Sequence, residues 1–134
     1  VRILDKRAMA AGARQLLSRL KIDIADVGRK VSTLSGGQRQ AVAIARALRW
    51  KADIVIMDEP TAALGVREPR EVLRLIEEIR AQGIAVILVS HAMKDVIAVA
   101  DRALILQSGR LSQDIALGGW TPDGLMNAIM AEDA

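Results

Sequence analysis

Cysteine is absent from the 134 residues, which excludes disulfides and thiolate metal sites and fits a reducing compartment. Phe and Tyr are absent too, and Trp50 and Trp120 are the only large rings. With 51% of the chain apolar, the core must be built from Ala, Leu, Ile and Val, which suits helices packed closely on a sheet. Long hydrophobic runs are lacking: the longest, Ile84 to Val89, is far short of the roughly 20 residues that span a bilayer, and no charged-then-apolar segment opens the chain. A dense run of one charge is lacking as well. The 19 basic residues are spread among 16 acidic ones for a net charge of +3, so no stripe for a nucleic-acid backbone is visible and no nucleic acid is expected as a partner.

What is present is one domain's worth of α/β patterning. Met9, Ala13, Leu16, Leu17 and Leu20 fall at helical spacing and predict an amphipathic helix over Asp5 to Leu20. A second helix, from Gln38 to about Trp50, places Ala41, Ile44, Ala45 and Leu48 on one face. The continuous apolar run Ile54 to Met57 predicts a strand buried on both faces, and Ile84 to Val89 a second. Between them Val72, Leu75, Ile76 and Ile79 stripe a helix over Glu68 to Gln82 that Gly83 stops. A short helix with Met93, Val96, Ile97 and Ala100 aligned leads to a third strand, Ala103 to Gln107, and a tight turn at Ser108-Gly109-Arg110. Alternating strands and helices predict right-handed crossovers and a parallel sheet. A last helix is expected from Asp123 to Ala131.

Three groups of residues carry chemistry. Ser35 can cap a helix, and Gly36 and Gly37 let the backbone approach a ligand, so free N–H groups and the positive end of the helix dipole face one point, as a phosphate requires. An ordinary Ser-Gly-Gly turn that caps a helix and binds nothing is the alternative. Asp58 and Glu59 close an apolar strand at its carboxyl end, where ligands of open α/β sheets collect; the first carboxylate suits Mg²⁺ and the second a proton-accepting role, against a pair of exposed acids as the bland reading. His91, the only histidine, follows the next strand and in a parallel sheet emerges on the same edge as the acids, where a phosphate-sensing or water-orienting role competes with a structural one.

In this order the three groups resemble the ATP-binding cassette family, the motor subunits of ABC transporters. Leu34 to Gln38 is similar to the signature motif, Ile54 to Glu59 to the Walker B strand, and His91 to the switch histidine. The resemblance implies the C-terminal portion of a P-loop NTPase fold, with a helical subdomain over 1–50, half of the α/β catalytic core over 51–117 and a tail over 118–134. It implies ATP and Mg²⁺ as cofactors, Asp58 at the metal, Glu59 as general base and His91 on the γ-phosphate. Ser35, Gly36, Gly37 and Gln38 would clamp ATP held by a second cassette, in a homodimer or a tandem pair. Further implied partners are transmembrane permease subunits and, indirectly, a sugar-binding protein, with the ATPase peripheral on the cytoplasmic face of the cell membrane.

Two departures stand out. No G-x-x-x-x-G-K-[ST] phosphate loop occurs, nor a convincing glutamine loop, and the chain opens at Val1 directly into a helical pattern. An N-terminal part is therefore expected to precede it, and the chain alone is expected neither to bind ATP well nor to turn it over. After the acids, Thr61-Ala62-Ala63-Leu64-Gly65 carries glycine where most of the family has aspartate, a form similar to the cassettes of monosaccharide importers. Rival readings are a DNA-repair or chromosome-type ATPase, which usually carries coiled-coil arms or zinc-binding cysteines, and a truncated, non-hydrolysing protein that binds a partner cassette or permease.

Overall fold

The computed structural model describes residues 4–50, 52–62, 64–65 and 68–131, so Val1 and Ala63 lie outside the described residues. The elements are α1 (Lys6–Arg19), a 3₁₀ turn (Val31–Thr33), α2 (Gly36–Leu48), β1 (Ile54–Asp58), α3 (Glu68–Ala81), β2 (Ala85–Val89), α4 (Met93–Val99), β3 (Arg102–Gln107), β4 (Arg110–Ala116) and α5 (Pro122–Met130). They divide into two compact units: residues up to Val55 with Pro60–Ile87, and Ile56–Glu59 with the residues from Leu88 onward.

In the first unit α2 packs on α3. The apolar stripes predicted for both are the ones buried: Ile44, Ala45 and Leu48 on α2, and Val72, Leu75, Ile76 and Ile79 on α3. Gly83, at φ +79°, ends α3, and the Ile84 and Gly83 N–H groups donate back to the carbonyls of Ile79 and Arg80. Paired bonds of this kind close a helix around a left-handed glycine. Helix α1 is capped by Asp5, whose side chain accepts from the N–H groups of Arg7 and Ala8. Its amphipathic stripe is covered only at the C-terminal end, where the C-cap Leu20 is buried; no residue within α1 is fully buried, and its apolar face lines a groove of about 640 Å³ that Leu34, Val42 and Ala45 also border.

Strands β1 and β2 are neighbours in a two-stranded sheet. The Ala85 N–H donates to the Asp53 carbonyl and the Glu59 N–H to the Val89 carbonyl, so both strands run the same way, as expected. The expectation that they are buried on both faces fails. Val55 and Met57 are buried, whereas Ile54 and Ile56 are 58% and 69% exposed and Ile87 and Val89 about half exposed. An apolar run states a demand for cover on both faces, and the described residues supply one.

The second unit corrects the topology further. β3 does not extend a parallel sheet among the described residues; it pairs antiparallel with β4, a strand that the apolar patterning does not foretell. The cause is the turn between them, where Ser108 (φ +48°) and Gly109 (φ +78°) both take left-handed backbone, the two-residue geometry that matches strand twist and reverses the chain. The register runs from Arg102 opposite Ala116 to Gln107 opposite Arg110 and slips at a bulge between Ile105 and Leu106. Ile105, Ile115, Leu117 and Leu125 form the buried cluster, with Met93, Val96 and Ile97 of α4 and Ala128 and Ile129 of α5 packed against it.

Candidate functional site

The Ser-Gly-Gly turn is a built helix start. Ser35 is the N-cap of α2; its hydroxyl oxygen accepts the Gln38 N–H at 3.2 Å while Gln38 Oε1 accepts the Ser35 N–H at 3.2 Å, a reciprocal capping box. The helix therefore begins at Gly36, two residues before the predicted start, because the capping box places Gln38 in the first turn. The far end of Gln38 is anchored as well, its Nε2 donating to the Asp23 carbonyl at 3.2 Å. Arg39 donates from Nη1 to the Leu34 carbonyl at 2.7 Å, fixing the chain just ahead of the cap. Gly37 is buried and Ser35 exposed.

The turn does not stand alone. Glu68, in the first turn of α3, accepts the Gly65 N–H at 2.8 Å. A Cβ placed on Gly36 would stand 2.8 Å from Glu68 Oε2, and one on Gly37 would stand 3.1 Å from Glu71 Oε2. A side chain on either glycine would therefore press on α3 side chains, at Gly36 chiefly on the movable end of Glu68. The N–H groups of Gly65, Gly37 and Gly36 and the Ser35 hydroxyl hold the Glu68 carboxyl below its ordinary value. Sequence reasoning missed Glu68. Its signal was a glutamate three residues after a glycine at a helix start, the spacing of a capping arm.

In the second unit, Asp58 ends β1 with an exposed side chain, and Glu59 follows it in left-handed backbone at φ +46°. That conformation costs a non-glycine residue of order 1 kcal/mol or more and turns the chain sharply at the strand end. Glu59 meets His91, 32 positions away: its Oε1 accepts the His91 N–H at 3.0 Å and lies 2.7 Å from His91 Nδ1. With the carboxylate ionised, Nδ1 carries the donated proton and Nε2 remains for another partner. The imidazole is 82% exposed and the Glu59 side chain 33%, so the pair faces solvent. Of the residues singled out by sequence, Glu59 and His91 are brought into contact, Asp58 lies beside them along the chain, and Ser35 to Gln38 belong to the other unit.

A metal would find little ready-made here. No group of three or more His, Cys, Asp or Glu side chains able to hold an ion occurs among the described residues, which leaves Asp58 as a single candidate carboxylate. One carboxylate suits Mg²⁺, which keeps several waters and takes phosphate oxygens as its other ligands.

Residues 2–62, which include the capped turn and both acids, match the family model for the ABC transporter. The chain belongs to the ABC transporter family. Among the relatives of this ABC chain, the fructose import ATP-binding protein of Rhizobium meliloti is 52% identical over 110 residues, covering 81% of this chain and 42% of that protein. The xylose/arabinose import ATP-binding protein of Sulfolobus acidocaldarius is 44% identical over 108 residues, covering 81% of this chain and 43% of its own. The chain thus spans less than half the length of these curated relatives. A solved ATP-binding cassette dimer in a post-hydrolysis state, bound to ADP and Pi, superposes with a TM-score of 0.68 at 27% identity, over 89% of this chain and 51% of that one. A second cassette in its ADP conformation gives a TM-score of 0.75 at 25% identity, covering 98% and 50%. The fold is α/β and belongs with the P-loop NTPase cassettes, and the sequence resembles those of sugar import ATP-binding proteins.

Proposed function

We propose that the chain supplies the signature turn, the metal carboxylate and the catalytic base of an ATPase that energises import of a monosaccharide through a membrane permease. The observation that carries the catalytic part is the contact of Glu59 Oε1 with both the N–H and Nδ1 of His91. Two bonds from one residue fix the carboxylate's direction, and a fixed carboxylate beside a metal-binding acid is what activation of water requires. The sugar assignment is supported by the relatives, which are import ATP-binding proteins for fructose and for xylose or arabinose.

In this reading Asp58 would hold Mg²⁺, which would supply charge neutralisation for the phosphates. Glu59 accepts the proton of the attacking water. His91 orients Glu59 through Nδ1 and presents Nε2 toward the γ-phosphate. Ser35, Gly36, Gly37 and Gln38 engage ATP bound mainly by a second cassette, so each site is shared. Catalysis is then mostly positioning and charge stabilisation. The sequence has no phosphate loop, whose lysine and N–H cradle provide the main grip on β- and γ-phosphates, so this chain by itself binds ATP weakly and does not turn it over. The functional division is 1–50 for the helical signature region, 51–117 for half of the catalytic core and 118–134 for the tail. No described helix is long and apolar enough to cross a membrane. In the proposed reading, permease subunits hold the ATPase on the cytoplasmic face.

The test is Glu59→Gln in the complete cassette. Turnover falls by roughly 10²–10⁴-fold, the range of a positioned general base, while ATP binding is retained. Unchanged turnover would remove Glu59 as the base.

A further inference from the structure

The space beside the glycines of the signature turn is already occupied by a carboxylate. Glu68 reaches back from α3 so that Oε2 accepts the Gly65 N–H at 2.8 Å and lies against the Gly36 backbone, where even a methyl group would come within 2.8 Å of it. Its Cβ would be 3.3 Å from a Cβ on Gly37, so α3 closes over the start of α2. Glu71 brings a second carboxylate to within 3.1 Å of the same point. Two negative side chains therefore face the place where the α2 N–H groups and helix dipole favour an anion.

A carboxylate and a phosphate cannot occupy the space beside Gly36 and Gly37 at once, and their like charges repel. We propose that Glu68 is a built-in occupant of the signature turn, a gate that withholds Gly36 and Gly37 from phosphate until its side chain swings away. The inference rests on the proposed reading of this turn as a phosphate clamp. The conformation needed is cheap: Glu68 has three rotatable side-chain bonds and its pairing is screened by water, so release needs a rotamer change and no movement of α3. Gly65 contributes no side chain of its own to fill the vacated position. The lowered Glu68 carboxyl agrees with an anion seated among N–H donors and keeps the gate charged at neutral pH.

The test is a titration of ¹⁵N-labelled chain with inorganic phosphate, following the amide signals of Gly36, Gly37 and Gly65. In Glu68→Ala the half-saturating phosphate concentration at Gly36 and Gly37 falls roughly tenfold relative to the native sequence, the scale of one charge-assisted hydrogen bond no longer competed for. In the native chain the Gly65 signal moves with the other two as Glu68 leaves it. Glu68→Gln, which keeps the shape and removes the charge, shows the same direction and serves if the alanine variant is poorly folded. Equal half-saturation in native and variant chains, or a Gly65 signal that stays still while Gly36 and Gly37 respond, would overturn the gate. ATP-dependent association with an intact cassette separates the two ideas: association that is strong and indifferent to Glu68 sinks the gate alone, and relief of phosphate binding without any such association sinks the nucleotide reading alone.

Discussion

Ser35 caps α2 through its hydroxyl oxygen, which accepts the Gln38 N–H, while its own N–H donates back to Gln38 Oε1. Ser35→Ala is expected to cost about 1 kcal/mol, the usual loss for a serine cap, read as a lowered urea midpoint with unchanged slope. Glu68 and Asp114 give the chain an acid-sensitive side. Glu68 is held low by the Gly65 N–H above all, and Asp114 by its hydrogen bond to Arg102, so both carboxyls ionise more readily folded than unfolded. Their contribution is therefore fully present above the ordinary values of 4.5 and 3.8 and is lost as pH falls below those values through the folded ones. Denaturation at a series of pH values checks this: the stability difference between the native chain and Glu68→Gln is largest at neutral pH and shrinks in acid. A difference that grew in acid would reverse the sign. His91 is legible in the sequence as a residue to watch, but its bond to Glu59 is not, because spacing along the chain cannot report a contact across 32 positions.

At the scale of elements, helices are easier to foresee than strands. Val72, Leu75, Ile76 and Ile79 announce α3 because one face of a helix carries its own periodic record of the core. The run Ile54 to Met57 announces a strand but not what covers it, and Ile56 stands 69% exposed where burial was expected. β4 escapes because Ser112, Gln113 and Asp114 lack an apolar alternation. Its place is set by the turn and by partners across the ladder, among them the ion pair of Asp114 with Arg102. Gly109→Ala should therefore weaken the β3–β4 hairpin by about 1 kcal/mol or more, since φ +78° suits glycine alone, with chemical denaturation as the readout. Leu125, 2% exposed in the cluster with Ile105 and Ile115, should cost about 2–5 kcal/mol as Leu125→Ala. A loss under about 1 kcal/mol in the same denaturation series would mean that α5 does not cover the hairpin.

For the whole molecule, the order of signature turn, acid pair and histidine along the chain is enough to identify the family, because each group needs a particular backbone setting and the three settings occur in sequence. What the order does not convey is how closely the α3 side chains Glu68 and Glu71 approach the turn. By the proposed function, this chain carries one half of a shared nucleotide site and depends on a second cassette for the other half. The most direct measurement is equilibrium association of the chain with an intact, hydrolysis-deficient cassette, by analytical ultracentrifugation with and without Mg-ATP. Association is expected only with nucleotide, and it is expected to be lost in Ser35→Arg, which places a bulky cation where the signature turn meets phosphate. Association that ignores both nucleotide and the Ser35 substitution, or stoichiometric ATP binding by the chain alone, would contradict the shared site.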